Sequence, residues 1–176
     1  ARRVISVNLP EPTPEGGTAR ELGYDAVSQV TLARIRKVLE SVPGAADLGL
    51  RVYRLKESAF RDSVPADGEL ALSSSTLREG VDDRYAIAAE VLLKEGVPLD
   101  AAWVEHEFGY VSVQVSGGVA VVAGGGLDVA MVEKVFDLDP KPRVVVLLED
   151  DLAGQDALKA NLLANAKSRG ITVKTV

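Results

Sequence analysis

An α/β fold is predicted by three observations. Val27, Val30, Leu32, Ile35, Val38 and Leu39 recur at helical spacing, which makes residues 28–41 a helix. Short apolar runs at 103–107, 110–115 and 119–123 read as strands, the last two joined by a Gly117-Gly118 hairpin turn. Finally, the strongly apolar run Arg143 to Leu148 is followed by a helical stretch, 155–169, and a closing strand, 171–176. Strand, helix and strand in that order imply a right-handed parallel crossover, with 143–148 central and 171–176 at the edge.

The elements between follow from local signals. Val4-Ile5-Ser6-Val7-Asn8-Leu9 reads as a short buried strand ended by Pro10, Pro12 and Pro14, since proline gives the ladder no donor. A helical turn is expected over 18–22. Pro43 and Gly44 stop the helix at 28–41. Residues 48–55, Leu-Gly-Leu-Arg-Val-Tyr-Arg-Leu, alternate with the period of a half-buried strand. Residues 56–80 are rich in Ser, Asp and Gly, with Leu70, Leu72 and Leu77 as possible anchors. The expected organisation is therefore a first part over 1–58, a linker over 59–80 and a small α/β domain with a hairpin and a parallel crossover over 81–176. A helix at 82–95 opens the last of these. Asp82 and Asp83 suit its positive end, and Gly96-Val97-Pro98 ends it. Another is expected from Asp128 to Phe136.

Composition excludes several function classes. With 47% hydrophobic residues among 176 there is enough apolar material for a core. No cysteine is present, which rules out disulfides and thiolate metal sites and makes a cytoplasmic location the natural expectation. His106 is the only histidine, so no multi-histidine metal site can form. No apolar run is long enough for a transmembrane helix, and the first residues turn polar too soon for a signal peptide. The chain starts at Ala1 rather than Met, as a piece of a longer protein would. A net charge of −6 and a pI of about 4.9 argue against strong grip on duplex DNA by this segment alone.

Seven segments, in order, resemble the C-terminal half of type III restriction-modification adenine-specific DNA methyltransferases, the modification subunits. They are Val4 to Thr13, with its Leu9-Pro10-Glu11-Pro12 end; Gly23-Tyr24 followed by Leu32 to Val38; Leu48 to Leu55; Ala89 to Leu99; Val145 to Asp150; Asp156 to Asn161; and Gly170 to Val176. The resemblance implies that the first part is the trailing portion of a Rossmann-like methyltransferase sheet. It also implies an intact enzyme that transfers a methyl group from S-adenosylmethionine to adenine in a specific DNA site. Such an enzyme forms a homodimer and pairs with a restriction subunit.

The departures from the family pattern matter as much. The family's Asp-Pro-Pro-Tyr tetrapeptide holds a flipped adenine against an aromatic ring, and nothing here matches it. Asp139-Pro140-Lys141-Pro142 lacks the aromatic residue and sits elsewhere in the pattern. The cofactor loop Phe-x-Gly-x-Gly is missing too. Both motifs, and the DNA-recognition insert, are expected upstream of Ala1, so the segment has a structural or assembly role and is not catalytic alone. One cofactor residue is implied, Glu11, whose carboxylate would accept both ribose hydroxyls of S-adenosylmethionine, as the acid of dinucleotide folds does; its plainer reading is a solvated turn residue between two prolines. Tight cofactor binding is not expected of the segment by itself.

The remaining candidates have plainer readings beside them. Arg34, Arg36 and Lys37, with Arg51 and Arg54, form the main basic concentration; they are candidate phosphate contacts in an intact enzyme, or a solvated helix face in an acidic segment. Gly124-Gly125-Gly126 lacks the residues of a P-loop and reads as a tight turn with Asp128 as helix N-cap. Glu149-Asp150-Asp151 at a strand end is slightly similar to the metal segment of a Toprim domain, a metal-dependent nucleic-acid module. The acid that such a site needs on an earlier strand is missing from 119–123. His106 reads as a surface residue, and Trp103 and Phe108 as core or interface. Against the methyltransferase reading stands a different class, a stand-alone interaction or scaffold domain with no chemistry of its own. A segment of an enzyme should expose apolar surface at 4–9 and 50–55, where strands from elsewhere would pair.

Overall fold

A computed structural model of the chain describes residues 4–44, 49–61, 76–109 and 111–176. The chain divides into two units, Ala1–Val52 and Tyr53–Val176.

The first unit holds two helices, α1 (Thr18–Glu21) and α2 (Val27–Ser41). An isolated antiparallel bridge joins Pro12 to Ala26 and brings residues 11–13 to the start of α2. The Val27 amide donates to the Glu11 carbonyl at 3.0 Å, and the Thr13 amide to the Asp25 carbonyl at 3.0 Å. Helix α2 has no side-chain cap at Ala26; instead Gln29 reaches back, its Oε1 accepting from the Asp25 amide at 2.7 Å. No residue of α2 is buried. A strand is expected over 4–9, but the chain there forms no ladder among the described residues, and Val4, Ile5 and Val7 are 89%, 91% and 88% exposed. Residues 49–52, within the second expected strand, are likewise unpaired in any ladder, with Leu50 and Val52 exposed. Alternation prepares a strand for one buried face, but a neighbouring strand must supply the hydrogen bonds. Leu48 lies outside the described residues.

The second unit is built on a five-stranded mixed sheet in sequential order: β3 (Trp103–Phe108), β4 (Val111–Ser116), β5 (Val119–Ala123), β6 (Val144–Leu147) and β7 (Thr172–Thr175). A two-stranded ladder precedes it, β1 (Phe60–Arg61) against β2 (Thr76–Leu77). The first three strands of the sheet pair antiparallel, and β5, β6 and β7 pair parallel. Gly117 and Gly118, at φ +58° and +80°, join β4 to β5. Positive φ at both central positions is what the favoured two-residue hairpin turn demands. Tyr110, expected to begin β4, lies outside the described residues, as do Leu70 and Leu72.

Two hydrophobic clusters cover the sheet's two faces. On one face, α4 (Val129–Phe136) and α5 (Asp156–Ser168) supply Val132, Val135, Phe136, Leu162 and Ala166 against Val113, Ala120, Val122, Val145 and Leu147. On the other, α3 (Arg84–Lys94) supplies Ile87, Ala88, Val91 and Leu92, with Ala59 and Phe60, against Val119, Val121 and Val146. Strand β6 is therefore buried on both sides, which explains its unbroken run of valines. Ala59, Phe60 and Leu77, inside the stretch expected to be a linker, pack on this second cluster.

The caps follow the sequence. Asp83 Oδ1 accepts from the Ala86 amide at 3.0 Å, and Asp128 Oδ1 from the Met131 amide at 2.7 Å. Helix α3 ends where Val97 N donates to the Leu92 carbonyl at 2.9 Å, with Gly96 at φ +76°.

Candidate functional site

Glu11 sits one residue before the Pro12–Ala26 bridge, and its backbone is fixed at both ends. Its amide donates to the Leu9 carbonyl at 2.8 Å, and its carbonyl accepts from Val27. The side chain is exposed, and among the described residues its carboxylate has no hydrogen-bond partner. An exposed acid on a pinned turn is free to accept from a diol. The pin itself is Thr13, which sequence reasoning passed over. Thr13 is 4% exposed, and its hydroxyl donates to the Tyr24 carbonyl at 2.5 Å. Only its place between two prolines signalled it.

Arg34, Arg36 and Lys37 lie on α2, all exposed. At 100° per residue Arg34 and Lys37 share a side, whereas Arg36 lies about 160° from Arg34. Arg34 lines one shallow apolar surface with Ile35, Val38 and Leu39. Two of the three cations are therefore neighbours, and one of them borders exposed apolar carbon.

In the second unit the carboxyl ends of the parallel strands gather Gly124–Gly126, after β5, and Glu149–Asp151, after β6. Each of the three acids is engaged within the protein. Glu149 accepts from Lys159 Nζ at 2.7 and 2.9 Å, and the bonds from Lys159 and Thr175 hold its carboxyl below the usual value despite burial. Asp150 accepts from the Leu77 amide at 2.9 Å. Asp151 accepts from the Gly124 amide at 3.0 Å. Among the described residues no group of three or more His, Cys, Asp or Glu is placed to hold a metal. The first amide of the glycine triplet is spent on a carboxylate, as fits a turn rather than a phosphate cradle.

Burial pushes the Asp151 carboxyl up; the Gly124 amide opposes this, and the Asp150 charge adds to it. The folded protein thus holds a proton here more tightly than the unfolded chain does. Stability from this group is therefore lost as pH rises through the raised folded value. Asp151→Asn keeps an acceptor for Gly124 and has no charge to bury. Its stability over the parent chain is expected to be greatest near neutrality and to shrink toward about pH 4, as urea midpoints measured across that range would register.

His106 stacks on Phe108 at 6.3 Å between ring centroids, and Trp103 lies 5.5 Å from Tyr85 and packs on the α3 cluster. Both aromatic pairs are packing features. On the α3 face of β4 lies a polar row that sequence reasoning took for an ordinary strand. Ser112, Gln114 and Ser116 are 3%, 2% and 2% exposed. Gln114 Nε2 donates to Glu105 Oε1 at 2.7 Å, and Ser112 Oγ donates to the same oxygen at 3.2 Å. Among the described residues Gln114 Oε1 is buried without a hydrogen-bond partner.

No helix among the described residues is long and apolar enough to cross a membrane. Comparison with family models finds no match to the chain, and neither does comparison with curated proteins.

Proposed function

We propose that the chain is the C-terminal segment of a site-specific adenine DNA methyltransferase of the type III restriction-modification kind. In this reading the first unit completes a Rossmann-like cofactor domain and the second serves assembly. One observation carries it: the apolar residues Val4, Ile5, Val7, Leu9, Leu50 and Val52 are exposed, in stretches with strand alternation but no ladder. Strands supplied from outside the described residues would cover them. Exposed apolar area of this extent is otherwise costly, at about 25 cal/mol per Å². The pinned Glu11 carboxylate supports the same reading, as the ribose ligand for S-adenosylmethionine in the intact enzyme. Arg34 and Lys37 are then phosphate contacts, the restriction subunit is a partner, and the homodimer is the working assembly in the cytoplasm.

A second reading has its own support. The second unit carries clusters on both faces of its sheet, as a self-sufficient interaction domain would. The coding sequence upstream of Ala1 separates the two. An open frame encoding Asp-Pro-Pro-Tyr and Phe-x-Gly-x-Gly is the expected result. A start codon there, with no such frame before it, would overturn the methyltransferase assignment and leave the interaction domain.

A further inference from the structure

The sheet of the second unit ends in two very different edges. At one end β7 is four residues long, and Lys174 on it is tied to Glu95 at 2.7 and 2.9 Å. A short edge with a lysine is the usual protection against further pairing. At the other end β3 runs six residues, and among the described residues no strand pairs with its outer side. The register against β4 sorts its side chains. Val104, His106 and Phe108 lie opposite Val115, Val113 and Val111, whereas Glu105 and Glu107 lie opposite Gln114 and Ser112. One face of the edge is apolar, with Val104 51% exposed, and the other is doubly acidic.

We infer that the β3 edge is a docking strand for an extended segment of another protein, one carrying Arg or Lys at alternate positions with apolar residues between. Charge decides the occupant. If a second copy pairs antiparallel about a two-fold axis normal to the sheet, the two registers of greatest overlap set Glu105 opposite Glu105 or Glu107 of its mate. Like charges directly opposite are destabilising, so these glutamates oppose self-pairing and favour a basic strand. The polar row behind the edge adds a second argument. Gln114 and Ser112 both donate to Glu105 Oε1, which fixes the carboxylate on its own sheet. The Gln114 amide nitrogen also donates to Ser112 Oγ at 3.2 Å, tying the two donors to each other. A carboxylate so fixed loses little freedom on meeting a guanidinium, and backbone pairing along β3 adds the affinity common to strand addition. The inference rests on the second unit and does not depend on the methyltransferase reading.

The probe is a blocked eight-residue peptide alternating Arg and Val, titrated into the full chain. The control is a peptide of the same composition with its arginines contiguous. Trp103, the only tryptophan, stands on β3 and reports binding by its emission. Hydrogen exchange locates the contact. The alternating peptide is expected to shift the Trp103 emission and to slow exchange along 103–108. It should bind about tenfold more tightly than the control, and Glu105→Gln with Glu107→Gln should weaken it by about tenfold or more. Circular dichroism checks that the double variant stays folded. Equal binding of the two peptides, undiminished binding to the double variant, protection confined to other segments, or no binding at all would each overturn the assignment.

Discussion

Phe136→Ala is expected to lower the unfolding free energy of the second unit by about 3–5 kcal/mol, the range for emptying a buried aromatic site. Phe136 is fully buried at the end of α4. It belongs to the cluster in which both crossover helices meet the sheet, beside Val132, Val135 and Leu162. The Arg169 guanidinium lies 5.9 Å from its ring centroid, so the substitution also removes a cation–π contact at the end of α5. Domains have only about 5–15 kcal/mol in hand, so the loss is a large share of the whole. A urea titration followed by far-ultraviolet dichroism measures it. An unchanged slope with a lowered midpoint is the expected form, and a shift under about 1 kcal/mol would mean that the packing at Phe136 is not as described.

Glu90→Ala is expected to cost about 1–3 kcal/mol, because it strips a partner from a buried backbone donor. Glu90 on α3 accepts from the Ser58 hydroxyl at 2.6 Å and from the Ala59 amide at 2.8 Å. Lys94 lies 2.9 Å away on the same helix and covers the Phe60 ring at 4.7 Å. Burial alone would raise the Glu90 carboxyl, but the bonds from Ser58, Lys94 and Ala59 outweigh it and hold the carboxyl below 4.5. The sign is therefore that of a stabilising carboxylate, with its contribution present above that value and lost as pH falls below it. The variant should free the Ala59 amide to exchange, and its deficit should shrink in acid as the charge-dependent part is lost. Lys94→Ala, which removes only the half-exposed cation, should cost under about 1 kcal/mol. Equal effects of the two substitutions would contradict the anchoring role of the carboxylate.

Much of the second unit was legible in the sequence because its signals are local. Asp83 and Asp128 cap helices through amides three residues on, and Gly117-Gly118 needs nothing beyond its own backbone. What was not legible depends on residues far apart in the chain. Phe60 finds Leu77 across a short ladder, and Glu90 finds Ala59 across 31 residues. The Ser112-Gln114-Ser116 alternation looks like a solvated strand face, and only its bonds to Glu105 and to the Ala102 carbonyl make it a buried polar row. At 4–9 the error ran the other way: apolar alternation is local, but the ladder that makes it a strand is not. Among the candidate site residues, Glu11 was singled out by the family resemblance alone, whereas Thr13, which pins the same turn, shows its role through the Tyr24 carbonyl.

The placement of α3 has a consequence for how the chain is made. Helices α4 and α5 each emerge directly after a strand they cover, so a growing chain can fold them back as it lengthens. Helix α3 docks chiefly on β5, and β5 leaves the ribosome roughly 25 residues after α3 ends. At about 5–20 residues per second that is a wait of about 1–5 s. Through that interval Ile87, Val91 and Leu92 have no sheet to cover, and a nascent chain in that state is the natural client of a chaperone that binds apolar helices near the tunnel exit.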